Sequence, residues 1–215
     1  MRPVACVALL LAWAVPAAGA EVVDRVLAVV GSQVILLSDY RAARAFALLP
    51  ADLPATTPDE ALEALVDREL MLGEVQRFAV AEPDRAAVDR RLAQIRASFS
   101  PPAAFGRALA LSAMTEDRLR IEVARSLQID AYVEQRFAAP GQPGAAELQR
   151  YYAGHPAEFT RNGRLLPLPE VRAQVQARLA AARKRDLVVQ WLDRLRRGTH
   201  IEIDPGAMAA MAAIK

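Results

Sequence analysis

Thr57-Pro58-Asp59-Glu60 opens the segment that most restricts what this chain can become. A threonine hydroxyl and a carboxylate three residues on can satisfy orphan amides reciprocally, and Pro58 suits a first helical position. The pattern predicts a helix running to about Phe78. On a 3.6-residue wheel Glu60, Glu63, Asp67 and Glu74 share one narrow arc and read as a solvated face. Leu62, Leu65, Val66, Leu70, Met71, Leu72, Val75 and Phe78 occupy most of the remaining circumference. A helix this apolar needs partners on several sides, so it belongs at the centre of a helical fold.

Shorter elements are expected around it. Val22–Val30 and Gln33–Leu37 are apolar and rich in β-branched residues, and Gly31-Ser32 between them suits a two-residue hairpin turn. Ser38 is positioned to cap a helix over Asp39–Leu48 that Pro50 and Pro54 end. A helix follows Pro83 from Asp84 to about Ser98, with Val88, Leu92 and Ile95 on one stripe, and a short one covers Ala103–Leu111. Thr115 caps a helix to about Phe137 whose apolar residues are too spread for one face, which implies packing on two sides.

Pro140-Gly141-Gln142-Pro143-Gly144 is a break, after which Ala145–Phe159 reads as a short helix or a pair of turns. Thr160–Pro169 reads as a connector. Glu170–Arg197 is the longest helix, closed by Gly198 as C-terminal cap, and His200–Asp204 alternates like a third strand. Residues 205–215 read as a flexible tail. The expected class is mainly α (α+β), with a small antiparallel sheet made of the N-terminal hairpin and the C-terminal strand.

Several chemistries lack their residues. The ten glycines form neither GxxxxGK[ST] nor GxGxxG, so neither common nucleotide-phosphate cradle is written here. His155 and His200 are the two imidazoles and Cys6 the single thiol, too few for a histidine zinc triad or a Cys₄ site. No serine sits in GxSxG. The sequence calls for no cofactor, no metal and no catalytic residue.

Residues 1–20 place Arg2 ahead of the apolar run Val4–Val15, then Pro16 and small residues ending at Ala20. This reads as a secretory signal cleaved after Ala20, since twelve apolar residues fall short of the roughly 20 a bilayer crossing takes. Arg2 is the one charged residue in that segment, so the remaining 195 residues carry a net charge of +1, which argues against a nucleic-acid partner. Charge is uneven along the chain. Residues 52–84 hold nine acids and two arginines, residues 164–197 nine basic residues and three acids, and the two segments are expected to attract.

The string VVDRVLAVVGSQVILLSDY, with Asp24, Arg25, Ala28, Val30, Ile35 and Ser38 in register, resembles the opening of the SurA-like periplasmic chaperones and related parvulin-type foldases. ALEALVDRELMLGEVQRFAV and MTEDRLRIEVARSLQIDAYVEQRF are similar to that family's next helices, and AAELQRYYAGHPAEF and WLDRLRRGTHIEI to its later segments. The family carries a prolyl-isomerase domain between those later segments, where this chain has about ten residues, too few for a domain.

The resemblance implies a helical SurA N-terminal-like domain over 21–159, a connector at 160–169, and a helix and strand over 170–204 that return to pack on it. It implies an ATP-independent periplasmic chaperone, not an enzyme, that holds unfolded outer-membrane or secreted polypeptides in an apolar crevice. Contact with a membrane or an assembly machinery would be transient. The candidate peptide-binding residues are the large apolar ones near helix ends and loops: Met71, Phe78, Phe99, Phe105, Leu109, Met114, Tyr132 and Phe137. The alternatives are an active prolyl isomerase and a non-chaperone adaptor that grips an envelope protein through its basic last helix.

Overall fold

The computed structural model describes residues 24–50, 53, 55–138 and 143–213. The segment read as a secretory signal, 1–20, lies outside the described residues. Strands β1 (Val26–Val30) and β2 (Gln33–Leu36) form an antiparallel hairpin, and Val29 faces Val34 across it. Gly31 closes the turn with φ +59°, a conformation that costs glycine little. A register shift between Val26 and Ala28 turns both Leu27 and Ala28 inward, where they are almost fully buried.

Six helices follow or interleave with the core: α1 (Leu37–Ala45), α2 (Pro58–Arg77), α3 (Arg85–Ala97), α4 (Ala103–Leu111), α5 (Glu116–Arg136) and α6 (Ala145–Gly154). A 3₁₀ turn at Pro156–Phe159 leads to strands β3 (Thr160–Arg161) and β4 (Arg164–Leu165). Helix α7 (Leu168–Gly198), strand β5 (Ile201–Ile203) and helix α8 (Ala207–Ala212) complete the chain. The fold is mainly helical, with a three-stranded antiparallel sheet in the order β2-β1-β5 and a two-stranded one, β3-β4.

The caps explain most of the boundaries. Thr57 Oγ1 accepts the Glu60 amide, and the Glu60 carboxylate accepts the amides of Thr56 and Thr57, so α2 begins where its sequence pattern places it. Thr115 caps α5 in the same way through the Arg118 amide. Ser38 does not cap α1. The helix starts two residues before the expected Asp39, because the Asp39 carboxylate accepts the Leu36 amide at 2.9 Å and Asp24 accepts the Ser38 amide at 3.2 Å.

Helices α1, α2 and α4 all end on an alanine in the left-handed region: Ala47 (φ 50°), Ala79 (φ 47°) and Ala113 (φ 48°). In each, the next amide bonds back to a carbonyl five residues earlier, Leu48 to Ala43, Val80 to Val75 and Met114 to Leu109. These are Schellman-type ends, which fold the following apolar residue back onto the helix. Leu48, Val80 and Met114 accordingly pack into the cores.

Three apolar cores result. The first gathers the sheet, α1, α3, α4, α8 and the N-terminal halves of α2 and α5, with Leu27, Phe46, Leu119 and Met211 nearly inaccessible. The second joins the C-terminal halves of α2, α5 and α7 around Met71, Tyr132 and Trp191. Helix α5 thus packs on two sides, Leu119 and Val123 in one core, Ile129 and Tyr132 in the other. The third core, Leu148, Phe159, Val171 and Val175, groups α6 and the 3₁₀ turn with the start of α7. Residues 145–159 therefore pack with the start of the last helix.

Three further expectations are corrected. Thr160–Leu165 is a hairpin, not a plain connector, because Asn162 (φ 51°) and Gly163 (φ 76°) form a two-residue turn with both φ positive. Gly198 is the last residue of α7 and the extended Thr199 follows it, so no left-handed glycine ends that helix. Residues 207–212 are no free tail, because Ala207 and Met211 insert into the first core.

β5 lies antiparallel to β1, with Ala28 opposite Ile203, and Arg25 Nη2 donates to Asp204 Oδ1 at 3.2 Å. The turn into α8 passes close under that guanidinium. A Cβ at Gly206 would meet Arg25 Nη2 at 1.9 Å, so glycine keeps the Arg25–Asp204 pair possible there.

Candidate functional site

The eight sequence-selected residues separate into two groups. Phe99, Phe105, Leu109 and Met114 belong to the first core, where Phe105 is buried and the others half-buried. Phe99 and Phe105 meet edge to face at 5.6 Å, and both contact Phe46. Met71, Tyr132 and Phe137 are buried in the second core, and Phe78 stands at its edge, 53 % exposed. The structure therefore assembles no single crevice from all eight. Met71, Phe105 and Phe137 are interior residues.

Phe78 does reach an open surface, and Tyr132, itself buried, backs it. The left-handed Ala79 turns the chain sharply at the end of α2 and leaves Phe78, its C-cap, projecting beside α5. The Phe78 and Tyr132 rings stack at 5.8 Å between centroids, inclined by 25°. Behind them Tyr132 and Phe137 pack on Trp191 of α7 at 5.8 and 5.4 Å. The Arg136 guanidinium lies 5.6 to 5.8 Å from the Tyr132, Phe137 and Trp191 ring centres and donates to the Tyr132 hydroxyl at 3.2 Å. Burial pushes the Tyr132 hydroxyl above its ordinary pKa, against the lowering effect of Arg136.

Phe78 and Tyr132 line a cleft of about 770 Å³ between the 78–83 loop and α5, with Ala131, Gln135 and Arg136 on the helix side. At Glu82 and Pro83 it adjoins a second cleft of about 420 Å³, lined by Arg85, Val88, Arg120, Ile121, Ala124, Arg125 and Gln128. The Gln128 amide donates to Val80 O at 3.2 Å and pins the loop to the helix between the two. The α5 face from Arg120 to Arg136 spans about 24 Å at 1.5 Å per residue, room for roughly seven residues of extended chain. Phe78 and Ile121 are its exposed apolar ends, 53 and 47 % accessible.

A second feature escaped the sequence reading. Arg68 is buried in the middle of α2, and its Nη2 donates to Glu122 Oε2 on α5 at 2.8 Å while Nη1 donates to Glu69 at 3.2 Å. Glu122 also takes Arg125 at 3.0 Å and Arg118 at 3.3 Å. Burial pushes the carboxyls of Glu69 and Asp39 above their ordinary range. These groups surround a cavity of about 90 Å³ between β2, α1, α2 and α5. Among the described residues Arg68 Nε is a buried nitrogen without a hydrogen-bond partner. The network fixes the angle between α2 and α5, and thereby one wall of the cleft. The run Asp67-Arg68-Glu69 inside an apolar helix was the mark of it in the sequence.

The acidic arc of α2 is not a solvated face throughout. Asp67 and Glu74 are buried, and Asp67 is paired with Arg196 of α7. That pair also links the acidic stretch 52–84 to the basic stretch 164–197. Arg178, Arg183 and Lys184 instead pair with Glu158, Glu147 and Glu134. Each such contact consumes positive charge on α7 that a partner would need.

The histidines stand apart from the cleft. His155 stacks on Tyr151 at 4.1 Å and its Nδ1 lies 2.8 Å from Tyr151 O, whereas His200 is exposed beside Glu202. Among the described residues no cluster of three His, Cys, Asp or Glu side chains could hold a metal ion, and no helix is long and apolar enough to cross a membrane. Compared with known proteins, the chain matches no family model and no curated protein.

Proposed function

We propose that the protein is an ATP-independent chaperone of the periplasm that holds extended apolar segments of unfolded outer-membrane or secreted polypeptides against the Phe78–Tyr132 end of α5. The observation that carries this reading is the exposed Phe78 ring, stacked on Tyr132 at the mouth of a cleft that continues along the helix. An aromatic ring held half out of water by a rigid stack gains on contact without first being ordered. Each Å² of apolar surface covered contributes about 25 cal/mol, offset by the ordering of the bound chain. Reversible binding follows from that balance, with release by dissociation alone.

The order of segments shared with the SurA-like chaperones supports the same reading. Where that family carries its isomerase domain, residues 160–165 form a two-stranded hairpin. The test is light scattering of an unfolded outer-membrane β-barrel diluted from denaturant. The protein at stoichiometric amounts suppresses the scattering without nucleotide, Phe78→Ser weakens the suppression, and proline-limited refolding of a standard substrate is not accelerated. Unchanged scattering with the wild-type protein overturns the proposal.

A further inference from the structure

The largest cavity described lies elsewhere, about 1070 Å³ between α1, α8, the end of α4 and the start of α2. Thr56 and Pro58 mark its α2 end, some 20 residues and about 30 Å along that helix from Phe78. Its floor is apolar: Leu37, Tyr40, Ala108, Leu111 and Met211 line it, and Leu111 is 74 % exposed. Its rim is cationic, with Arg25, Arg41 and Arg44, and no described acid lines it. Arg25 is engaged by Asp204 and Arg44 leans on the Tyr40 ring. Among the described residues Arg41 has no ion-pair or hydrogen-bond partner.

We infer that this groove is a second interaction surface, which takes an amphipathic segment of a partner polypeptide carrying carboxylates beside apolar side chains. Charge complementarity selects the acidic partner, because three guanidinium groups stand over an apolar floor with one of them unspent. The groove is open to water at Leu111. A hydrocarbon tail would stay half wetted there, whereas an amphipathic segment buries one face and keeps the other in water. The small residues Ala210, Ala212 and Ala213 at the end of α8 make one wall and leave room for larger apolar side chains.

The test is fluorescence anisotropy on the full chain with a labelled leucine–glutamate amphipathic peptide, its leucine–lysine counterpart, and laurate as competitor. The acidic peptide binds at least about tenfold more tightly than the basic one and weakens with added salt. Arg41→Glu and, separately, Leu111→Asp each lower its affinity about tenfold, and Phe78→Ser leaves it unchanged. Neither substitution removes an internal contact, and circular dichroism checks the fold. Equal binding of both peptides overturns the inference, as does an affinity lost in Phe78→Ser but kept in Arg41→Glu. Displacement of the peptide by laurate at equal concentration makes the groove a fatty-acid site. Self-association in sedimentation that Leu111→Asp abolishes makes the occupant a second copy. Either result also overturns it.

Discussion

Arg196 Nε donates to Asp67 Oδ1 at 2.7 Å, across 129 residues of chain. The pair joins the last turn of α7 to the middle of α2, at the border between the first two cores. The hydrogen bond to Asp67 raises the Arg196 pKa above its ordinary value, against the lowering effect of burial. On the adjoining position Arg68 reaches the other way, to Glu122 of α5. Two neighbouring residues of α2 therefore tie it to α5, which lines the Phe78 cleft, and to α7, whose Trp191 packs behind Tyr132.

Asp67→Asn is expected to destabilise the fold by about 1–2 kcal/mol, the range for a charge-assisted hydrogen bond whose cation keeps some access to water. Glu63→Gln, on the exposed part of the same helix, should change stability by less than about 0.5 kcal/mol. Urea unfolding followed by circular dichroism measures both, and equal effects would deny Asp67 its tethering role.

Arg68→Ala leaves Glu122 buried with fewer donors and should cost about 3–5 kcal/mol. Arg68→Met combined with Glu122→Met removes both charges and should cost much less than the two single changes added together. A double-mutant cycle in urea reads the coupling. Simple additivity would show that the pair does not act as a unit.

Glu69 gives a pH test with a definite sign. Burial raises its carboxyl in the folded protein above the ordinary value of 4.5, although Arg68 pulls the other way. In the window between 4.5 and the raised value the folded state holds more protons than the unfolded one, so this group's contribution is intact below the window and lost as pH rises through it. Glu69→Gln should flatten that fall and be relatively more stable at neutral pH. A larger loss at neutral pH than at pH 4 would reverse the assignment.

Ala47 and Ala113 hold left-handed conformations that an alanine pays for sterically. Replacing either by glycine should stabilise the protein by about 0.5–1 kcal/mol, the relief at the turn exceeding the added freedom of the unfolded chain. Thermal unfolding of Ala113→Gly is the cleaner measurement, because the Ala47 carbonyl also accepts a hydrogen bond from Arg91 Nη2 at 3.4 Å. A lowered midpoint would contradict the Schellman geometry.

The same alanines explain where sequence reading fell short. Helix starts were legible at Thr57, Asp84 and Thr115, because each has a side-chain oxygen that accepts an amide within the first turn. Helix ends were less so, since α1 stops at Ala45 without the glycine that usually marks a left-handed cap. The Asn162-Gly163 hairpin was written in a recognisable dipeptide and lost among the prolines around it. Burial of Asp67 and Glu74 was not readable from α2 alone, because α5 and α7 supply the covering surfaces from far along the chain. For the same reason the eight large apolar residues looked alike in sequence. Tertiary packing left Phe78 half outside and took Met71, about two turns earlier, into the core.

Site-specific photo-crosslinking tests the central claim most directly. A photoreactive phenylalanine analogue placed at Phe78, at Ile121, and at the exposed apolar positions Val189 and Ile203 outside the cleft is irradiated with an unfolded or a folded outer-membrane barrel. Positions 78 and 121 should capture the unfolded chain and not the folded one, and positions 189 and 203 should capture little of either. Capture at 189 and 203 as strong as at 78, or none at 78, would contradict an α5 cleft that holds extended polypeptide.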